Sequence, residues 1–198
     1  MTNNNTQPVR YFGMLQLALL GALIATFCDG VHVYTSTLVY PEPLWFGQPW
    51  WPFPMFTLAF LSMAITYRLV DLFMPASLVR SQSCAPGSTA ALVETLLLFA
   101  LVYMLSGFGN TSALFLCVLF YVSFAVRLWA TYERGFLLLI AILLAIGGTL
   151  VEAGISAIGQ VAYTRNDMIG VPLWLPGLYL HGAFALREGY RRLVVGRA

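Results

Sequence analysis

Polar and apolar positions alternate along this chain in long blocks rather than in the short periods of a soluble fold. Six apolar stretches stand out, at about 11–29, 53–74, 88–105, 112–129, 135–157 and 173–190. Each is close to the roughly 20 apolar residues that an α-helix needs to cross a bilayer. The pattern predicts an all-α, polytopic membrane protein with six transmembrane helices in one domain. The first stretch has too long an apolar core for a cleavable signal peptide, and no convincing cleavage site follows it.

Two connections are long. Residues 30–52 carry four aromatics before Trp50 and Trp51, and Tyr and Trp settle at the membrane–water interface, so this segment is expected to lie on the bilayer surface. The segment Gln82–Gly87 reads as a turn.

The first and last helix pairs resemble each other at a spacing of 123 residues. Ala22, Thr26, Tyr40, Gly47, Pro49 and Trp51 are matched by Ala145, Thr149, Tyr163, Gly170, Pro172 and Trp174, and Asp29 is matched conservatively by Glu152. Two readings stand: a parallel repeat of 11–74 and 135–190, as in some transporters, or interface chemistry that both pairs share.

Composition sharpens the picture. The 198 residues are 60% hydrophobic and 9% charged, against about 25% charged in soluble domains. A soluble enzyme and a disordered chain are both excluded. All ten basic residues are Arg. Six crossings put Arg10, Arg68, Arg80, Arg127, Arg134, Arg187, Arg191, Arg192 and Arg197 on one side and Arg165 alone on the other. The positive-inside rule then makes both termini cytoplasmic. A net charge of +2 gives no reason to expect nucleic-acid binding. Cys28, Cys84 and Cys117 lack metal or disulfide spacing, and no cofactor or metal motif is present.

Ionisable groups at depth are costly and face protein or water. Asp29 and Glu152 lie about 27 Å into their helices. They read either as helix ends in headgroup water or as ligand or partner contacts. On the fifth helix, Ala141, Ala145, Thr149, Ala153 and Ala157 recur every four residues beside Gly148, Glu152, Ser156 and Gln160. This small face suits tight packing against the first helix, with Glu152 and Gln160 at a cavity mouth. Glu94 reaches headgroups or pairs with Arg68 or Arg80. His181 lies nearer mid-membrane and reads as a hydrogen-bonded packing residue. Arg68 and Asp71, three apart, predict an ion pair. Glu133 and Arg134 form a short turn. No catalytic constellation is present.

The chain resembles the Insig (insulin-induced gene) proteins. The resemblance rests on Tyr163, Thr164, Asp167, Trp174, Leu175, Pro176, Gly182, Arg191 and Leu193, then on Trp50, Trp51, Pro54, Tyr67 and Asp71. A third patch is Trp129, Thr131, Tyr132, Glu133 and Arg134, and Gly109–Ala113 echoes a turn. It covers all but the N-terminal segment and first span. Tyr190 stands where the family has Gly, Glu133 where it has Asp, and Leu116 where it has an acidic cluster. The long N-terminal extension is reduced to about ten residues.

The resemblance implies a minimal, prokaryotic-type relative. Eukaryotic Insigs sit in the endoplasmic reticulum, bind oxysterol, hold the sensor Scap and bring a reductase to ubiquitin ligases. For this chain it implies a non-enzymatic lipid-binding scaffold in the plasma membrane if prokaryotic, or in the endoplasmic reticulum if eukaryotic. A membrane-protein partner and a homo-oligomer are also implied. With no Arg at depth to hold an anion, the expected ligand is a neutral lipid, diacylglycerol or sterol-like, held by Asp29, Glu94, Glu152, His181 or Trp174. Asp71, Glu133, Arg134, Asp167 and Arg191 form the partner or structural motif. A small lipid or solute transporter built on the repeat is the alternative.

Overall fold

The structure, a computed structural model, describes residues 9–73 and 87–195. Six α-helices follow in order: α1 Tyr11–Tyr34, α2 Pro52–Phe73, α3 Thr89–Phe108, α4 Ala113–Ala130, α5 Arg134–Ala157 and α6 Leu175–Gly189. A π-helical turn, Tyr190–Val194, continues α6. Strand β1 (Leu38–Val39) follows α1 and β2 (Ala162–Tyr163) follows α5, and the two pair antiparallel. Arg80, Cys84, Arg197 and most of the 82–87 turn lie outside the described residues.

Five of the six helices are long and apolar enough to cross a membrane. The sixth, expected at 173–190, runs from Leu175 to Gly189 and differs from the others in its packing. At 15 residues α6 is about 22 Å long, and the π-helical turn carries the helical run on to Val194, past the charges of Arg187, Glu188, Arg191 and Arg192. It is the core of the bundle. Twelve of its 15 residues are buried, whereas α2, with 22 residues, buries only Pro52, Phe56, Ala64 and Tyr67. An apolar helix that leaves most of its surface uncovered needs lipid around it, and α2 is such a helix.

Packing explains the division. Helix α1 packs chiefly on α2 and α5 chiefly on α6, while α6 also meets α3 and α4. The alanine face of α5 therefore meets α6, not α1 as the sequence suggested. Ala141 and Ala145 pack with Leu180, Ala183 and Phe184, and a side chain at Gly148 would collide with the Tyr179 ring. Small residues let these two helices approach closely, as membrane helix pairs do.

The chain ends meet. The Arg10 amide donates to Val194 O at 3.0 Å and Val9 bridges Val195, so both termini lie at the same end of the bundle.

Local geometry recurs at a spacing of 123 residues. Helices α1 and α5 are both 24 residues long and begin 123 positions apart, as do α2 and α6. The turn bonds Thr35 N→Val31 O, Ser36 N→Val33 O and Thr37 N→His32 O recur as Ile158 N→Gly154 O, Gly159 N→Ser156 O and Gln160 N→Ile155 O. Left-handed backbone at Phe46 and Gly47 recurs at Ile169 and Gly170. Val39 pairs across the ribbon with Ala162, its own counterpart.

Candidate functional site

An apolar cavity of about 480 Å³ lies among α1, α2, α3, α5 and α6. Its wall on α2 is built from Phe56, Phe60, Met63 and Tyr67, and on α5 from Ile140, Leu144, Gly147 and Val151. Gly147, Val151 and Leu58 line it while lying on the exposed surface of the bundle, so the cavity opens sideways between α2 and α5.

Polar groups converge at one end. Glu152 lines the cavity and accepts hydrogen bonds from the hydroxyls of Tyr163 and Tyr179, each at 3.0 Å. Tyr103, also lining, makes no hydroxyl hydrogen bond among the described residues. This is an acceptor flanked by donors in an otherwise apolar chamber. Such a set can orient a hydroxyl or ester without needing a charge on the ligand.

Beside it, Asp29 accepts from the Tyr40 hydroxyl at 2.5 Å and from the Gln48 amide at 2.9 Å. Burial, and the carboxylate next to it, push the Tyr40 hydroxyl well above the usual phenol range. Asp29 and Glu152 are 3% and 8% exposed. The reading of both as helix ends in headgroup water is therefore overturned. Each helix continues past its acid, to Tyr34 and to Ala157, through Gly30 and Gly154, and a tyrosine eleven residues on bonds the carboxylate.

Of the five residues expected to hold a ligand, the cavity brings in Glu152. Asp29 sits behind it, bonded to Tyr40 and Gln48. Glu94 is exposed on α3. His181 is fully packed, with Nε2 3.0 Å from Phe120 O and Nδ1 2.8 Å from Arg127, as a hydrogen-bonded packing residue should be. Trp174 is buried and donates from Nε1 to Asn110 Oδ1 at 3.0 Å. Gln160 is exposed and lines no part of the cavity.

The motif residues fall in two places. At the terminal end, Arg68 and Asp71 form the expected ion pair at 3.4 Å. Glu133 holds a left-handed backbone, φ 53°, before α5 and faces Arg191 at 3.9 Å. Burial pushes its carboxyl up, against the pull of Arg191 and Arg187. Arg134 donates to Thr131 O at 3.0 Å. Around them, Glu188 accepts from Arg187 at 2.9 Å and from the Tyr132 hydroxyl at 2.7 Å, and the Arg187 and Arg191 guanidiniums lie 4.1 and 4.9 Å from the Tyr132 ring. At the opposite end, Asp167 accepts from the Leu173 amide at 3.3 Å and lies 3.9 Å from Arg165.

Sequence reasoning missed the tyrosines. Tyr40 and Tyr163 each lie eleven residues after an acid, a spacing that was open to view. It also missed His32, which is 1% exposed, bonds Ser106 at 2.8 Å and packs edge-on against Tyr103 and Trp174. His32 follows Asp29 by three residues on the same helix face.

No family model and no curated protein matches the chain. Two solved structures do. One is a mycobacterial Insig homologue from Mycobacterium vanbaalenii, at 20% identity and a TM-score of 0.74, covering 96% of this chain and 98% of that one. The other is a cysteine variant of that homologue, crystallised as a cross-linked trimer, at 21% identity and a TM-score of 0.75, covering 92% and 95%. The likeness runs through all six helices, and the chain has the fold of this prokaryotic Insig homologue.

Proposed function

We propose that this chain is a non-enzymatic membrane protein that binds a neutral lipid, diacylglycerol or sterol-like, in the cavity between α2 and α5. One observation carries the reading: an apolar chamber of about 480 Å³ whose concentrated polar feature is Glu152 with its two tyrosine donors. Among the described residues no arginine lines it, and an anionic headgroup held at that depth would need one. Native mass spectrometry of detergent-purified protein after lipid extraction tests this. A retained neutral lipid supports it, and retention of phospholipid alone, or of nothing, overturns it.

The recurrence at 123 residues supports a second proposal, that 11–74 and 135–190 are parallel copies within one domain. The alternative function, a small transporter, rests on that repeat. A liposome flux assay separates the two, since a binding scaffold gives no flux above background. The trimeric crystal form of the M. vanbaalenii variant favours a homo-oligomer here. Regulation of a partner membrane protein, in the plasma membrane of a prokaryotic host, completes the reading.

A further inference from the structure

We propose a second lipid site, separate from the central cavity, for a neutral lipid with a hydroxyl-rich headgroup of the glycosyl type. Two adjoining hollows form it, and Tyr34 and Phe108 are the wall they share.

The first hollow, about 830 Å³, is an apolar groove on the bilayer-facing side of α1, roofed by the tip of the 45–48 turn. Leu23, Phe27, Val31 and Phe53 line it, and no ionisable carboxylate, amine or guanidinium does among the described residues. From Leu23 to Tyr34 it follows eleven residues of α1, about 16 Å, the depth of one leaflet's share of a hydrocarbon core of about 30 Å. An acyl chain lying along α1 fits that length.

Two polar groups beside the groove suit a ligand rather than bare hydrocarbon. The Thr26 hydroxyl is buried and has no hydrogen-bond partner, and buried hydroxyls are nearly always satisfied. The Gln48 amide is fixed by donating to Thr26 O at 3.0 Å and to Asp29 at 2.9 Å, and its oxygen accepts nothing among the described residues. With the threonine in the other of its two common χ1 rotamers, they offer one donor and one acceptor to a glycerol linkage.

The second hollow, also about 830 Å³, opens at the end of the bundle opposite the termini. Thr35, Ser36, Asn110, Thr111, Thr164 and Asn166 line it. Its one guanidinium is already engaged: Arg165 donates to Asn110 O at 2.5 Å and to Thr111 O at 2.6 Å, and Asp167 lies 3.9 Å away. No cation is left to hold a phosphate, and Asp167 repels one. The Ser36 and Thr111 hydroxyls and the Asn110 and Asn166 amide nitrogens, unbonded among the described residues and beside the exposed rings of Tyr34 and Phe108, are instead the chemistry that meets a sugar, whose hydroxyls both donate and accept.

The test compares three probes in nanodiscs: a monoglycosyl diacylglycerol, diacylglycerol and phosphatidylglycerol. The protein is purified in a detergent without a sugar headgroup, because an alkyl glycoside competes. Native mass spectrometry reads how many of each lipid remain bound. We expect the glycolipid to occupy the protein at least fivefold more than phosphatidylglycerol. Thr26→Val, which keeps shape and removes the hydroxyl, and Phe108→Ala, which removes the shared wall, each lower that occupancy at least threefold with an unchanged melting temperature. Gly147→Trp, placed in the central cavity, leaves it intact. Equal occupancy by glycolipid and phosphatidylglycerol overturns the proposal, as does loss of the glycolipid in Gly147→Trp alone. The first comparison needs no variant to fold. A failure of central-cavity binding would show separately, as loss of diacylglycerol.

Discussion

Two adjacent glycines on α5 give a sharp test of where the central cavity lies. A Cβ added at Gly147 meets nothing within 4 Å, whereas one at Gly148 would sit 2.5 Å from the Tyr179 ring. Replacing a helical glycine by alanine gains about 0.5–1 kcal/mol from backbone conformation at either position. At Gly147 nothing opposes that gain. At Gly148 the new methyl must displace a ring packed between helices, an overpacking cost of about 1–3 kcal/mol. It also disturbs the 3.0 Å bond from Tyr179 to Glu152, and such bonds in membrane proteins average about 0.6 kcal/mol. The two variants should therefore differ by about 2–3 kcal/mol, or about 4–12 °C in melting temperature for a chain of this size. Gly147→Ala should melt slightly above the parent and Gly148→Ala clearly below it, in thermal denaturation of the detergent-solubilised protein. Equal shifts at the two positions, or the reverse order, would refute the cavity's placement. The same position then becomes a plug, since Gly147→Trp should keep the fold and lower neutral-lipid retention.

Other outcomes follow from single contacts. Glu188→Ala strands the buried Arg187 guanidinium and should cost about 3–5 kcal/mol, read as a fall in melting temperature that Glu188→Gln only partly reproduces. Trp174→Phe keeps the packing but removes the bond to Asn110 and should cost about 1 kcal/mol. Burial raises the Glu133 carboxyl in the folded protein, so folding takes up protons there. Stability should then decline as pH rises from the ordinary glutamate value of 4.5 through the raised one. Melting curves of Glu133→Gln should show a weaker slope than the parent, and an unchanged slope would count against the burial of this side chain.

Much of the fold was open to reading because hydrophobic length is a direct physical requirement of the bilayer. The second, third, fourth and fifth spans end within three residues of the observed helices. The sixth also falls within two residues of its helix, but its central position in the bundle was not legible. Apolar composition from Leu173 to Ala185 looks alike whether a helix faces lipid or other helices. What separates them is the charge that follows at Arg187, Glu188 and Arg191, which only a protein-lined position tolerates. The first span was cut at Asp29 because an acid was read as a signal for water. Its partners Tyr40 and Gln48 come from the loop beyond, where the one trace of the pairing is the acid-to-tyrosine spacing shared with Glu152 and Tyr163. The cavity left no such trace. Phe56, Phe60 and Tyr67 sit in the apolar run of α2, and only the gap between α2 and α5 makes them a wall.

The position of α6 has a consequence for how the protein is made. Five lipid-facing helices leave the ribosome before the one at their centre does. Until α6 arrives, His32, Tyr103 and Glu152 lack Trp174 and Tyr179, and α3, α4 and α5 lack the surface that joins them. Insertion into the bilayer and closure of the bundle are then separate events, the second completed when the π-helical turn brings Val194 against Arg10. A chain stopped before α6 should reach the membrane as five spans yet remain unassembled, open to quality-control proteases or to another polypeptide that offers a helix in its place.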